Sequence, residues 1–215
     1  MTLETLLAYK KEELPEIAQD LTAEDIGTLV DWLAEKDDKI RYPSFLLLVS
    51  RSEHHSDVYP YWDVFAEKLH SPNAYQRSIG LKLMAENARW DEAGRMDAVI
   101  DEYLAFCDDA KPVVVRLCIQ GLAGVVPHKR NLWPGIIGKL MSIDIGARRE
   151  SQRKLVLLDI VSVLAAIRKL EPRQAIDDYL FWARESGSLD NKGRKEIDAL
   201  LKKRRKFTAK TKSID

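Results

Sequence analysis

The chain has 215 residues, 46% apolar and 32% charged, a balance that suits a packed globular protein and excludes a disordered or collagen-like one. Thirty-four Lys and Arg match thirty-four Asp and Glu, so no whole-molecule field draws it onto nucleic acid or an anionic membrane. Two cysteines, Cys107 and Cys118, are too few for a disulfide framework, and their spacing fits no zinc or redox motif. The opening MTLETLLAYKKEELPE lacks the basic start and long apolar run of an export signal. The longest apolar run, Leu155 to Ile167, is interrupted by Asp159 and is shorter than the roughly 18 residues of a spanning helix. The expectation is a soluble, cytoplasmic protein.

Apolar residues recur at helical spacing, as in Ile26, Leu29, Val30 and Leu33, with Thr22 placed to cap the first turn of that helix. In chain order the pattern predicts helices over 3–12, 23–36, 39–52, 58–69, 73–88, 93–106, 111–126, 132–142, 149–170, 174–185 and 189–205. Breaks fall at Ser56, Ser71-Pro72, Trp90-Asp91, Lys111-Pro112, Pro127 and Glu171-Pro172. Residues 1–205 read as one folded domain and 206–215 as a basic, flexible tail. Charge is asymmetric: residues 1–40 hold eleven acids against four bases, and residues 191–215 ten bases against three acids.

Aligning KIRYPSFLLLVS, AYQRSIGLKLMA, VVVRLCIQGLAG and ESQRKLVLLDIV superposes Arg41, Arg77, Arg116 and Arg153 at intervals of 36, 39 and 37 residues. Each unit is a helix pair whose second helix opens on an arginine. Such pairs bury their apolar faces only by stacking, so the expected fold is all-α, a right-handed α-α superhelix of about four helix pairs plus terminal caps.

The run Asp108-Asp109-Ala110-Lys111-Pro112-Val113-Val114-Val115-Arg116 resembles a HEAT repeat, of the HEAT/armadillo-like solenoid class. VYPYWDVFAEKLHSPNAYQRSIGLKLMAENARWD and DAVIDEYLAFCDDAKPVVVRLCIQGLAGV are similar to uncharacterised bacterial HEAT-repeat proteins sometimes labelled SufBD-like, over about residues 57–167. The resemblance implies a fold and no activity. Where the HEAT pattern often has an aspartate six residues before the arginine, this chain has Glu35, Ser71 and Ala110.

Four aligned arginines could form an anion-binding row. A helical wheel instead sets Arg77 with Leu81, Met84 and Ala88, and Arg116 with Ile119 and Ala123, which predicts hydrogen bonds to helix-end carbonyls of the adjacent repeat. His54, His55 and Asp57 are the densest set of metal-ligand types, yet adjacent loop residues seldom converge, and His70 and His128 stand alone. No metal or organic cofactor is expected. Trp62-Asp63 and Trp90-Asp91, with Tyr59, Tyr61 and Trp133, invite comparison with alkyl-base DNA glycosylases of the AlkD type, similar solenoids that use tryptophans, an aspartate and arginines in a basic groove. Residues 41–190 balance twenty bases with twenty acids, which favours inter-repeat packing with Asp91 as an N-cap. In KKRRKFTAKTK, Lys202, Lys203, Arg204, Arg205 and Lys206 are the candidate anion contact, and Phe207 could stack on a base or dip into a membrane interface; the alternative is a solvated helix end.

The wheel also places Leu46, Val114, Leu117, Val125 and Leu158 away from the inter-helix core, with Tyr75 and Lys82 on that side of the second repeat. These seven residues form a candidate partner groove. The reading is a non-enzymatic scaffold that binds a protein partner or a second copy of itself, with AlkD-like DNA binding or repair as the alternative.

Overall fold

The computed structural model describes the backbone of residues 1–211 and the side chains of residues 1–201; among the described residues every regular element is helical. The chain divides into two compact units, Met1–His128 and Lys129–Asp215.

The first unit holds α1 (Leu3–Ala8), α2 (Leu14–Ile17), α3 (Ala23–Trp32), α4 (Asp38–His54), α5 (Trp62–Glu67), α6 (Ala74–Asn87), α7 (Arg95–Ala105) and α8 (Pro112–Val125). Local chemistry sets their starts. Thr22 and Asp25 form a reciprocal capping box on α3, Asn73 accepts from the N–H of Tyr75 at α6, and Pro112 opens α8 where a missing N–H costs nothing. Gly94, at φ 74°, makes the left-handed turn into α7 that an L side chain would resist. The helix predicted over 3–12 is broken, because Tyr9 is extended and Pro15 lies in the first turn of a new helix, α2.

α3 packs on α4 and α5 on α6, while α4, α6 and α8 lie side by side in that order. α6 and α8 approach each other closely. A Cβ on Gly121 would collide with the Tyr103 hydroxyl and sit 3.1 Å from the Ala85 Cβ, and one on Gly124 would be 3.1 Å from the Ala85 carbonyl. The Tyr103 hydroxyl is wedged there, 3.3 Å from the carbonyls of both Leu81 and Cys118.

The second unit holds α9 (Trp133–Ser142), α10 (Glu150–Leu170), α11 (Gln174–Glu185) and α12 (Asn191–Thr211), and α10 touches the other three. Its core combines Ile136 and Leu140 with Val156, Leu157, Ile160, Val163, Leu164 and Ile167 of α10, and with Ile176, Leu180 and Ile197. Trp133 is buried between the Arg130 and Arg173 guanidiniums, 5.3 and 5.6 Å from its ring centre. The Asp190 carboxylate accepts from the Gly193 N–H and caps α12, which continues to Thr211 beyond the predicted end at residue 205. Among the described residues, no helix is long and apolar enough to cross a membrane.

Candidate functional site

Three of the four aligned arginines hold backbone. Arg41 donates to the Glu35 carbonyl (3.0 Å), Arg77 to those of Ser71 and Pro72 (2.9 and 3.0 Å), and Arg153 to those of Arg148 and Gly146 (2.9 and 2.8 Å). Each arginine reaches back five to seven residues and ties down the turn that precedes its own helix. These are carbonyls of the same helix pair, which corrects, for these three, the expectation that the arginines bond carbonyls of the adjacent repeat. The reason is length: an arginine one turn into a helix can fold back over the N-terminus and meet the carbonyls of the incoming loop. Arg77 also spans repeats, through a bidentate pair with Asp109. An anion row would need these guanidiniums for ligand; they are committed to the fold.

A second set of polar ties also links positions about one repeat apart. The Tyr59 hydroxyl donates to Asp91 (2.7 Å), and Arg95 pairs with Asp63 (3.2 Å), both across 32 residues. The Trp90 indole N–H donates to the Ser52 carbonyl (2.8 Å), and the Asn87 amide to the Ser52 hydroxyl (3.0 Å). Asp91 accepts from the N–H groups of Arg95 and Met96, so it caps α7 as its position suggested. Trp62 and Trp133 are buried. The Trp-Asp pairs therefore serve packing and capping, and neither of these tryptophans is open to a base.

His54, His55 and Asp57 do not converge. His54 is exposed beside Glu53, the His55 ring lies 3.2 Å from the Gln19 amide oxygen, and Asp57 forks onto Arg51, which also donates to the Ala18 carbonyl (3.1 Å). Among the described residues, no three His, Cys, Asp or Glu side chains are placed to hold a metal. A shallow depression of about 710 Å³ is lined in part by Asp63, Lys68, His70 and Gln76. Its groups are already engaged: Asp63 by Arg95, His70 by Glu102 (3.0 Å), and the Lys68 ammonium by the Gln76 amide oxygen (2.7 Å). Burial holds the Lys68 ammonium below its ordinary pKa, but no nucleophile and base are aligned beside it. Burial and then the nearby Arg89 charge lower the pKa of His128.

The groove residues separate into covered and uncovered ones. Val114 and Val125 are fully buried, which removes both from any open surface. α8 buries two adjacent stripes rather than one, Val114-Cys118-Gly121-Val125 and Val115-Ile119-Leu122-Val126, because neighbours cover it on two sides; its Ala123, assigned to the packed side, is exposed. Leu46, Lys82 and Leu117 are half-buried, and Tyr75 is 61% exposed. Lys82 pairs with Glu86, itself within 3.5 Å of Arg89. Leu158 is half-buried and belongs to the other unit. The side chains of Lys202, Lys203, Arg204, Arg205 and Lys206 lie outside the described residues.

Several uncovered apolar residues were missed: Tyr42 and Val113, which extend the row of Leu46, Tyr75 and Leu117 along α4, α6 and α8, and the pair Phe181-Trp182 on α11. A wheel of α11 finds that pair, because Ile176, Leu180 and Ala183 form the buried stripe and leave positions 181 and 182 on the far side. No protein-family model matches the chain, and no curated protein is similar enough to count as a relative.

Proposed function

We propose that the chain is a non-enzymatic binding protein, built as a HEAT-like right-handed solenoid similar to the bacterial HEAT-repeat proteins, that engages a protein partner through the uncovered residues of α4, α6 and α8. The repeated arginine-to-turn geometry and the polar ties one repeat apart support the solenoid. A cytoplasmic setting fits the buried thiols of Cys107 and Cys118, which lie 3.6 Å apart as the reduced pair. The observation that carries the binding role is the row of exposed Tyr42, Tyr75 and Val113 and half-buried Leu46 and Leu117 on three adjacent second helices. Apolar side chains brought together on neighbouring helices and left in water mark an interaction surface.

The test is affinity capture from the native cell with the wild type and a folded Tyr75→Ser/Leu117→Asp variant. A protein retained by the wild type and lost by the variant is expected. Identical captured sets would overturn the assignment to this row.

A further inference from the structure

On α11 the pair Phe181 and Trp182 stands off the buried stripe, 56% and 48% exposed. The other exposed rings among the described residues each have one of the protein's own cations near the ring face yet stay open to solvent. The Lys11 ammonium lies 5.6 Å from the centre of the Tyr42 ring, and the Arg41 guanidinium 5.4 Å from that of Tyr75. The half-exposed Tyr59 has Arg95 at 5.8 Å. Among the described residues, Trp182 has the Tyr179 ring beside it at 5.0 Å, and neither Trp182 nor Phe181 has a cation over its face. Carboxylates bracket the pair instead. Asp178 and Glu185 are exposed on the same side of α11, seven residues apart, which is about 10 Å along a helix. Asp178 accepts from Gln174 (2.8 Å), and Glu185 pairs with Arg184, which also holds Asp198 (2.6 Å).

The chain carries the complementary pattern. α12 runs on through Lys202-Lys203-Arg204-Arg205-Lys206-Phe207 to Thr211, and in the sequence Lys203 and Lys210 are also seven residues apart, with Phe207 between them. Carboxylate, ring pair, carboxylate along α11 matches cation, ring, cation in the sequence of the C-terminal segment at the same spacing. We infer that the Asp178-Phe181-Trp182-Glu185 face of α11 is the docking site for the basic C-terminal segment of α12 from a second copy of this chain. The contact joins ring stacking and cation–π attraction to two charge pairs. Because it joins two different surfaces, it is heterologous and propagates unless symmetry closes it. It rests on the binding role proposed above only in treating the chain as a binding protein, and it uses a different face.

Sedimentation equilibrium of the full chain at low salt, about 50 mM, where charges are weakly screened, tests this. Association that weakens at high salt is expected. Trp182→Ser should weaken it by about tenfold or more, the size of one lost aromatic anchor. Asp178→Lys/Glu185→Lys and Lys203→Glu/Lys210→Glu should each weaken it, and mixing these two variants should restore it, because each supplies what the other lacks. A wild type that stays monomeric overturns the inference, and this covers a tail that folds back within its own chain. Association untouched by Trp182→Ser, or lost on charge reversal but not restored by mixing, does so as well. If the Trp182 variant weakens association and the tail reversal does not, the occupant is another surface and the inference fails. None of these results bears on Tyr75 or Leu117, so the capture experiment above stands or falls separately. Circular dichroism of each variant confirms that it folds.

Discussion

Arg77 on α6 and Asp109, ahead of α8, form a bidentate ion pair of 2.9 and 3.0 Å across 32 residues, with both side chains largely withdrawn from water. The same carboxylate accepts from the Lys111 N–H at 2.7 Å, and the same guanidinium holds the carbonyls of Ser71 and Pro72. Two turns are thus fixed through one contact. Asp109→Ala leaves a mostly buried guanidinium without its counter-charge and should destabilise by about 2–3 kcal/mol. Thermal unfolding should shift down by about 4–12 °C, at a few degrees per kcal/mol for a chain this size. A shift under about 2 °C would show that the pair is solvent-screened and adds little.

Gly121 is a packing position rather than a flexible one. It sits in α8 with an ordinary helical backbone, and a methyl group there would meet the Tyr103 hydroxyl and the Ala85 Cβ. Tyr103 is fully buried and placed between two carbonyls, so it cannot yield. Ala is the better helix former by about 1 kcal/mol, but overpacking costs about 1–3 kcal/mol, and the clash should win. Gly121→Ala is expected to lower the urea midpoint, whereas Gly135→Ala, with open space around its Cβ, should raise it or leave it unchanged. Equal responses at the two sites would refute the tight α6–α8 approach.

Three tyrosines set the alkaline limit. Burial, then the bond to Asp91, pushes Tyr59 up to about 12; burial alone pushes Tyr179 up to about 12; burial, then the neighbouring Cys118, holds Tyr103 well above its ordinary value. A folded pKa above the unfolded value of about 10 means that the native chain holds these protons more tightly. The stability they contribute is complete below about pH 10 and is lost as pH rises through about 12. Phenolate absorbance near 295 nm and helical circular dichroism, followed together, should show these groups ionising as the helices melt. Tyr59→Phe should destabilise at neutral pH by roughly 1 kcal/mol, the worth of its hydrogen bond, and make the alkaline loss less steep. Ionisation of all three well before unfolding would contradict the tighter hold of the fold on these protons.

The helical class and most element boundaries were legible because they depend on local signals: apolar period, caps such as Thr22 and Asn73, and prolines at helix starts. The aligned arginines were legible as a repeat, and their role as carbonyl binders followed from their place on the packed side. Which carbonyls they reach was not, since that depends on how the incoming turn folds back. The groove was half legible. A wheel assumes one buried face per helix, which holds for α11, where it isolates Phe181 and Trp182, and fails for α8, where α6 and the turn at Phe106–Asp108 both bury side chains. Gly121 was the missing signal: a glycine in the middle of an apolar helix marks a second close neighbour, and it shares a stripe with Val114 and Val125.

That division gives the sharpest comparison on a single helix. Val114 and Leu117 are one turn apart on α8; the first is fully buried and the second half-buried beside the uncovered Tyr75 row. Val114→Asp places a carboxylate at a fully buried apolar position, so the native state loses the apolar contacts and must desolvate a charge. It should cost at least about 3 kcal/mol, the low end for an unpaired buried charge, and lower the melting temperature by roughly 6–12 °C. At Leu117 the carboxylate can turn toward solvent, and only part of a leucine's burial is lost. The cost should stay near 1 kcal/mol, about half of the apolar transfer energy of that side chain. The two melting curves, measured on otherwise identical protein, decide the matter. A Leu117 variant as unstable as the Val114 one would mean that α8 is covered on that side too, and the binding row would lose its α8 member.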